Sequence, residues 1–287
     1  MGKISFIKNE IMKTGFPLEM EILSLLNSGN WFATPSDYYF DSDLNIAREI
    51  DIRASFKGKK KTSDFEVHPF LAVECKKSET HAWVFFEGRL KSGRFSCTGQ
   101  YADFIKSQNV GSCFHLLQFM QSNLIYEGKK CVSMSYKEIK LQKIERGGNL
   151  NEIFEAINQV VKYVSFEIGN YLDSYINRKF DATSCVIFYP IIVFDGELYY
   201  AKLKNTNVSL RRVANLLFVT FFRPKYAAHR VPFLIDIVTS KFFPTYLADL
   251  EKKIDGLNIQ IQEIKDIQRS FIDELQQTPQ KTHKRDF

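Results

Sequence analysis

The sequence predicts an α/β or α+β sandwich in which helices flank a mixed sheet. Three observations point there. The order of patterned segments is helix, three strand-like runs, a weakly patterned insertion, helix, then further strands. The runs "REIDIRASFK" and "FLAVECKK" alternate apolar and charged residues with the period of two that a strand requires. "NLNEIFEAINQVVKYVSFEI" instead repeats its apolar residues at helical spacing. With 287 residues, 45% of them hydrophobic, the chain can bury a substantial core.

Taken in order, "GFPLEMEILSLLNSGNW" reads as a helix that opens on Pro17 and closes before Gly29. Its apolar stripe is Leu18, Ile22, Leu23, Leu25 and Leu26, with Glu19 inside the stripe and Glu21 at its edge. A carboxylate facing a core needs a partner or a metal, and Arg48 is one candidate partner. "WFATPSDYYFDSD" supplies a first strand and a polar turn. In the second strand Ile50, Ile52 and Ala54 are expected on one face and Glu49, Asp51 and Arg53 on the other. In the third, Leu71, Val73 and Cys75 oppose Phe70, Ala72, Glu74 and Lys76. If these strands are neighbours, Asp51 and Glu74 meet. Two carboxylates about 4 Å apart repel by roughly 4 kcal/mol at an effective dielectric near 20, so a cation belongs between them. Mg²⁺, a hard ion that takes oxygen ligands and keeps several waters, fits that gap, with Lys76 alongside. The alternative is an ordinary mixed-charge sheet edge. The loop "GKKKTSD" lacks the glycine spacing of a phosphate-binding Walker motif and reads as a basic hairpin.

Residues 84–149 form an insertion. Within it Lys137, Lys140, Lys143 and Arg146 recur every three residues, which on a helix makes a basic stripe, either a solvated face or a phosphate contact. His115, between Phe114 and Leu116, reads as a core histidine. The helix that follows is expected to start on Asn149 or Asn151 and to bury Ile153, Ala156, Ile157, Val160, Val161 and Val164, with Gln159 and Tyr163 on one flank. "SCVIFYPIIVFDGELYYAKL" predicts a hairpin turning at Asp195-Gly196, and "VPFLIDIVTS" one more strand. A domain spanning 1–245 is then followed at 246–276 by an amphipathic helix. Leu247, Leu250, Ile254, Leu257, Ile261, Ile264, Phe271 and Leu275 take its heptad core positions and Gln268 the polar one. That stripe is a coiled-coil seam, joining two copies or a partner, or it packs on its own domain. Residues 277–287 make a polar, basic tail with the composition of a disordered segment.

A formal charge of +6 and a pI near 8.9 suit a phosphate-rich partner without demanding one. Five scattered cysteines with no C-x-x-C pair indicate neither a disulfide framework nor a zinc site, and suggest the cytoplasm. The N-terminal residues resemble neither a secretion nor a myristoylation signal. "CVIFYPIIVF" and "VANLLFVTFF" are too short to span a bilayer, so no membrane partner is expected. No glycine-rich cofactor loop, serine nucleophile elbow or metal-binding histidine pair is found.

Glu19, Asp51, Glu74-Cys75-Lys76 and Gln159, in this order on helix, strand, strand and helix, resemble the PD-(D/E)XK nuclease superfamily with its restriction-endonuclease-like core. "GFPLE", "REID", "VECKKS" and "YPIIVFDGELYYA" are similar to Mrr-related prokaryotic proteins, over about residues 14–80 and 150–245. The proline of the superfamily's name is replaced by Ile50, and Gln159-x-x-x-Tyr163 resembles an element of RecB-type nucleases. The resemblance implies a metal-dependent nuclease, most readily a DNA endonuclease in defence against phage. Asp51, Glu74 and Lys76 would be catalytic, and Glu19, Asp51, Glu74 and the Cys75 carbonyl would hold Mg²⁺ or Mn²⁺. Gln159, Tyr163, Lys77, Lys140 and Lys143 would contact nucleic acid. The alternative is a nuclease-fold binding or assembly subunit without activity.

Overall fold

The computed structural model describes residues 2–41, 43–58, 65–88, 101–104, 131–141, 151–177, 183–225 and 228–256. It is an α+β fold built on a mixed sheet, nine-stranded among the described residues. A short helix α1 (Lys3–Lys13) precedes α2 (Phe16–Ser28), which carries Pro17 in its first turn and buries Leu18, Ile22 and Leu26, four residues apart. Strands β1 (Trp31–Asp41), β2 (Ile46–Phe56) and β3 (Phe65–Glu87) form an antiparallel meander. After β4 (Tyr101–Phe104) and β5 (Val132–Lys140), helix α3 (Glu152–Asn177) crosses over to β6 (Thr183–Lys204), which runs parallel to β3 along most of its length. Strands β7 (Asn207–Arg212), β8 (Asn215–Phe222) and β9 (Val231–Thr239) follow. A helical turn at Ser240–Phe242 then leads into α4 (residues 243–256).

The sheet separates two cores. On one side α3 buries Ile153, Ala156, Ile157, Val160, Val161 and Val164 as its periodicity predicts, and also Tyr163 and Ile168. On the other, α2 and α4 cover Leu71, Val73, Ile191 and Val193. Beyond the meander, β3, β5, β8, β9 and β6 pair in a closed circuit, inside whose core Trp83 stacks on Phe194 at 4.0 Å.

Three sequence expectations are corrected. Ile50, Ile52 and Ala54 do not share a face: Ile50 packs on the α3 side with Tyr39, while Ile52 and Ala54 pack on the α2 side with Trp31. The β1–β2 ribbon rolls over at Ser36, whose φ of 55° breaks the alternation opposite Asp51. Asp195-Gly196 is not a turn either. β6 runs straight through it and turns instead after Lys204, at Asn205 with φ 56°. Gly196 answers a different need, since a Cβ there would lie 2.4 Å from the Phe194 ring and 2.8 Å from the Ser78 carbonyl oxygen. That contact comes from a bulge in β3 between Lys77 and Ala82. Finally, Lys137 and Lys140 stand on strand β5, so they form no helical stripe; Lys143, Arg146 and His115 lie outside the described residues.

The apolar stripe of the last helix is used inside the chain over its described part: Leu247, Leu250 and Ile254 are buried with α2. Glu251 fastens it, accepting hydrogen bonds from Trp31 Nε1 at 2.8 Å and Asn30 Nδ2 at 2.9 Å. Leu257 to Leu275 lie outside the described residues.

Two outcomes follow for stability. Gly196→Ala should destabilise by about 1–3 kcal/mol in urea unfolding, because the methyl group has no space even though the backbone needs no special φ. Glu251→Ala should cost about 1–3 kcal/mol by leaving the buried Trp31 indole N–H unpaired.

Candidate active site

The candidate site lies where β2 leaves β3. Their described pairing ends at Ile52 with Val73, so the next polar groups must be satisfied another way. Asp51 does this for β3, its Oδ2 accepting a hydrogen bond of 2.7 Å from the Cys75 backbone N–H. Gln159 does it for β2, donating from Nε2 to the Glu49 carbonyl oxygen at 2.7 Å. Asp51 therefore comes to the end of the ladder beside Glu74 and Lys76.

Glu74 is the unusual member. Its side chain is fully buried; Lys76 Nζ lies 2.7 Å from Oε1 and pairs with it, while Oε2 has no hydrogen-bond partner among the described residues. Burial above all, with Asp51 and Glu19 adding repulsion, pushes the Glu74 carboxyl up to about 8, against the pull of Lys76. Burial also raises Asp51, with the Cys75 N–H and Lys76 opposing it. For Lys76 burial acts to remove the charge, but the adjoining Glu74 outweighs it and the ammonium is held more firmly than usual.

Glu19, half-buried in the first turn of α2, is raised by burial and then by Asp51 and Glu49. It shares the field of the cluster. It does not pair with Arg48, which lies against Asp41 instead. The Cys75 side chain points into the core on the α2 side and its thiol is raised well above normal by burial, so only the backbone of this residue reaches the cluster.

Among the described residues, no group of three or more His, Cys, Asp or Glu side chains is close enough to enclose a metal. Glu19, Asp51 and Glu74 thus do not close around one point in this arrangement. Asp51, Glu74 and the Cys75 carbonyl are the oxygen donors available, and two carboxylates with waters suit Mg²⁺. The Oε2 of Glu74, unpartnered among the described residues, fits such an ion.

The residues expected to contact nucleic acid fare differently. Tyr163 is completely buried and its hydroxyl donates to Asp37 Oδ2 at 2.5 Å, leaving no ring surface for a base. Gln159 is a structural donor to β2. Lys77 Nζ donates to the Met12 carbonyl oxygen at 3.2 Å and lies 3.3 Å from Glu79, tying β3 to α1. Lys140 is exposed at the end of β5. Sequence reading missed Glu138 on β5, whose Oε1 accepts a 2.6 Å hydrogen bond from the Ile153 N–H and so caps α3 from outside the helix. It also missed Arg53, which stands over the Phe70 ring and faces Asp37 and Glu167.

No protein-family model, curated protein or solved structure is significantly similar to this chain.

The raised Glu74 sets a pH dependence. Its folded value exceeds that of an unfolded carboxyl, so its contribution to stability is complete below about pH 4.5 and is lost as pH rises through about 8. Wild type should therefore lose stability, on the order of a few kcal/mol, between about pH 5 and 9 in metal-free buffer. Glu74→Gln should flatten that slope, and at pH 9 it should melt higher than wild type. A parallel slope in the variant would assign the titration to another group.

Proposed function

We propose that this protein is a metal-dependent nuclease that hydrolyses phosphodiester bonds, most readily in DNA. The observation that carries the reading is the buried carboxylate of Glu74, set between Asp51 and Lys76 with its Oε2 unpartnered among the described residues. A strongly raised buried acid beside a second carboxylate and a lysine is the kind of cluster that a cation or substrate can complete. The chain order supports it as well: Glu19 on α2, Asp51 on β2, Glu74-x-Lys76 on β3 and Gln159 on α3, with a parallel β6 beyond, follow the PD-(D/E)XK pattern.

Asp51, Glu74 and the Cys75 carbonyl would hold Mg²⁺ or Mn²⁺, which when bound supplies Lewis-acid polarisation of a phosphoryl oxygen. Lys76 is anchored on Glu74 and its side chain is a quarter exposed, so its ammonium can reach a water or a phosphate at the surface of the cluster. It orients the attacking water and offsets charge that grows on the phosphate. Asp51 keeps the β3 backbone in place through the Cys75 N–H. Glu19 and Glu49 add negative potential around Asp51, which raises the carboxyls and attracts a cation.

A second reading is an inactive nucleic-acid-binding or assembly subunit of the same fold. It is favoured by one observation: Lys76 already lies against Glu74 where a cation would sit.

Incubation with plasmid, linear duplex, single-stranded DNA and RNA, with and without Mg²⁺ or Mn²⁺, separates the two. The expected result is cleavage of at least one substrate only with metal, and its loss by about a hundredfold or more in Glu74→Ala with folding retained. Glu74→Ala cutting at the wild-type rate would place the chemistry elsewhere, and no cleavage of any substrate would favour the binding subunit.

A further inference from the structure

A second concavity lies on the α3 side, farther along the helix than the acidic cluster. It has a volume of about 370 Å³ and is walled by β1, α3 and the end of β8. At 1.5 Å per residue, its helix residues Lys162 to Asp173 begin roughly 10 Å along the axis from Glu155, whose charge Lys76 feels.

Its wall is built and rigid. Asp41, almost wholly buried, accepts hydrogen bonds from Lys162 Nζ at 2.9 and 2.8 Å and from the backbone N–H groups of Asp43 and Leu44 at 3.1 and 3.4 Å. Arg48 Nε lies 3.2 Å from its other side. Burial alone would raise the Asp41 carboxyl, but these contacts lower it, so it is a fixed anion already matched by its own cations. Two hydroxyls are left over. Tyr39 Oη and Ser165 Oγ are buried without a hydrogen-bond partner, and both residues line the cavity. The remaining lining includes the aromatic rings of Phe40, Phe166 and Phe222. At the rim stand Arg223 and Lys225, both exposed and neither ion-paired with any described residue.

We infer that this cleft binds a nucleoside phosphate, its base against the aromatic wall and its phosphate on Arg223 and Lys225. Each part of the cleft has a counterpart in that ligand. A planar ring stacks on the aromatic surface of Phe40, Phe166 and Phe222. Unpaired cations at the mouth attract a phosphate, and an arginine gives it two parallel hydrogen bonds. Of the acids lining the cleft, Asp41 and Asp43 both face Lys162, with Arg48 also on Asp41, and Asp173 stands exposed at its edge. The inference does not depend on the acidic cluster being catalytic. The nucleotide could be free or belong to a strand lying across the protein.

The test is equilibrium binding to the full chain in EDTA, so that cleavage plays no part. The probes are the four ribonucleoside monophosphates, a short oligothymidylate, adenosine and inorganic phosphate. At least one monophosphate or the oligonucleotide should bind tighter than about 1 mM, and more tightly than either adenosine or phosphate. Arg223→Glu combined with Lys225→Glu should weaken it by about tenfold or more. Phe40→Ala, at a half-exposed ring, should weaken the nucleotide and leave phosphate unchanged. Binding of monophosphates assigns a free nucleotide; binding of the oligonucleotide alone assigns a strand. Failure of every probe, equal binding of phosphate and nucleotide, or affinity unchanged by the charge reversal would overturn the inference.

Discussion

The constraint on which the site depends is the unfinished ladder between β2 and β3. A strand pair that stops in mid-sheet leaves buried N–H and C=O groups that must find partners, and here two side chains provide them. Asp51 takes the Cys75 N–H and Gln159 serves the Glu49 carbonyl. Both bonds stand where the described pairing of β2 with β3 ends, opposite Ser36 of β1 with its positive φ. Because Asp51 is bound to the backbone of the residue after Glu74, the two carboxylates cannot move apart without losing a buried hydrogen bond. Their repulsion is built into the fold; at Glu74 the attraction of Lys76 outweighs it, and burial is what raises the carboxyl.

The same economy shapes the rest of the α3 side. Glu138 holds the first turn of α3 against β5, Tyr163 holds its middle against Asp37 on β1, and Lys162 holds the next face against Asp41. Three polar contacts thus fix one helix to the sheet, one at its first turn and two near its middle. The acidic cluster lies at the N-terminal end of that helix and the aromatic cleft farther along it, so both are positioned by one rigid element.

Much of this was legible in the sequence. The apolar stripe of α3 and the strand character of the runs around Asp51 and Glu74 follow from side-chain periodicity, which reports burial directly. What periodicity missed were places where the backbone departs from it. A single residue at positive φ reversed the faces of Ile50 and Ile52, and the bulge after Lys77 turned Gly196 from an expected turn into a point of close approach. Tyr163 was misread because a tyrosine on a helix flank looks alike whether it points to solvent or to a buried Asp37. The lysines of β5 were read as helical since spacing by three is not diagnostic in a short polar run.

The central claim is that Asp51 and Glu74 form one cation site with an incompletely satisfied carboxylate. Crystals of the full chain grown with Mn²⁺ and measured at the manganese absorption edge test it directly. The account predicts an anomalous peak between the Asp51 and Glu74 carboxylates, about 2.0–2.3 Å from an oxygen of each, with Lys76 swung away from Glu74. Crystals saturated with Mn²⁺ that show Lys76 still on Glu74 and no peak between the two carboxylates would contradict it.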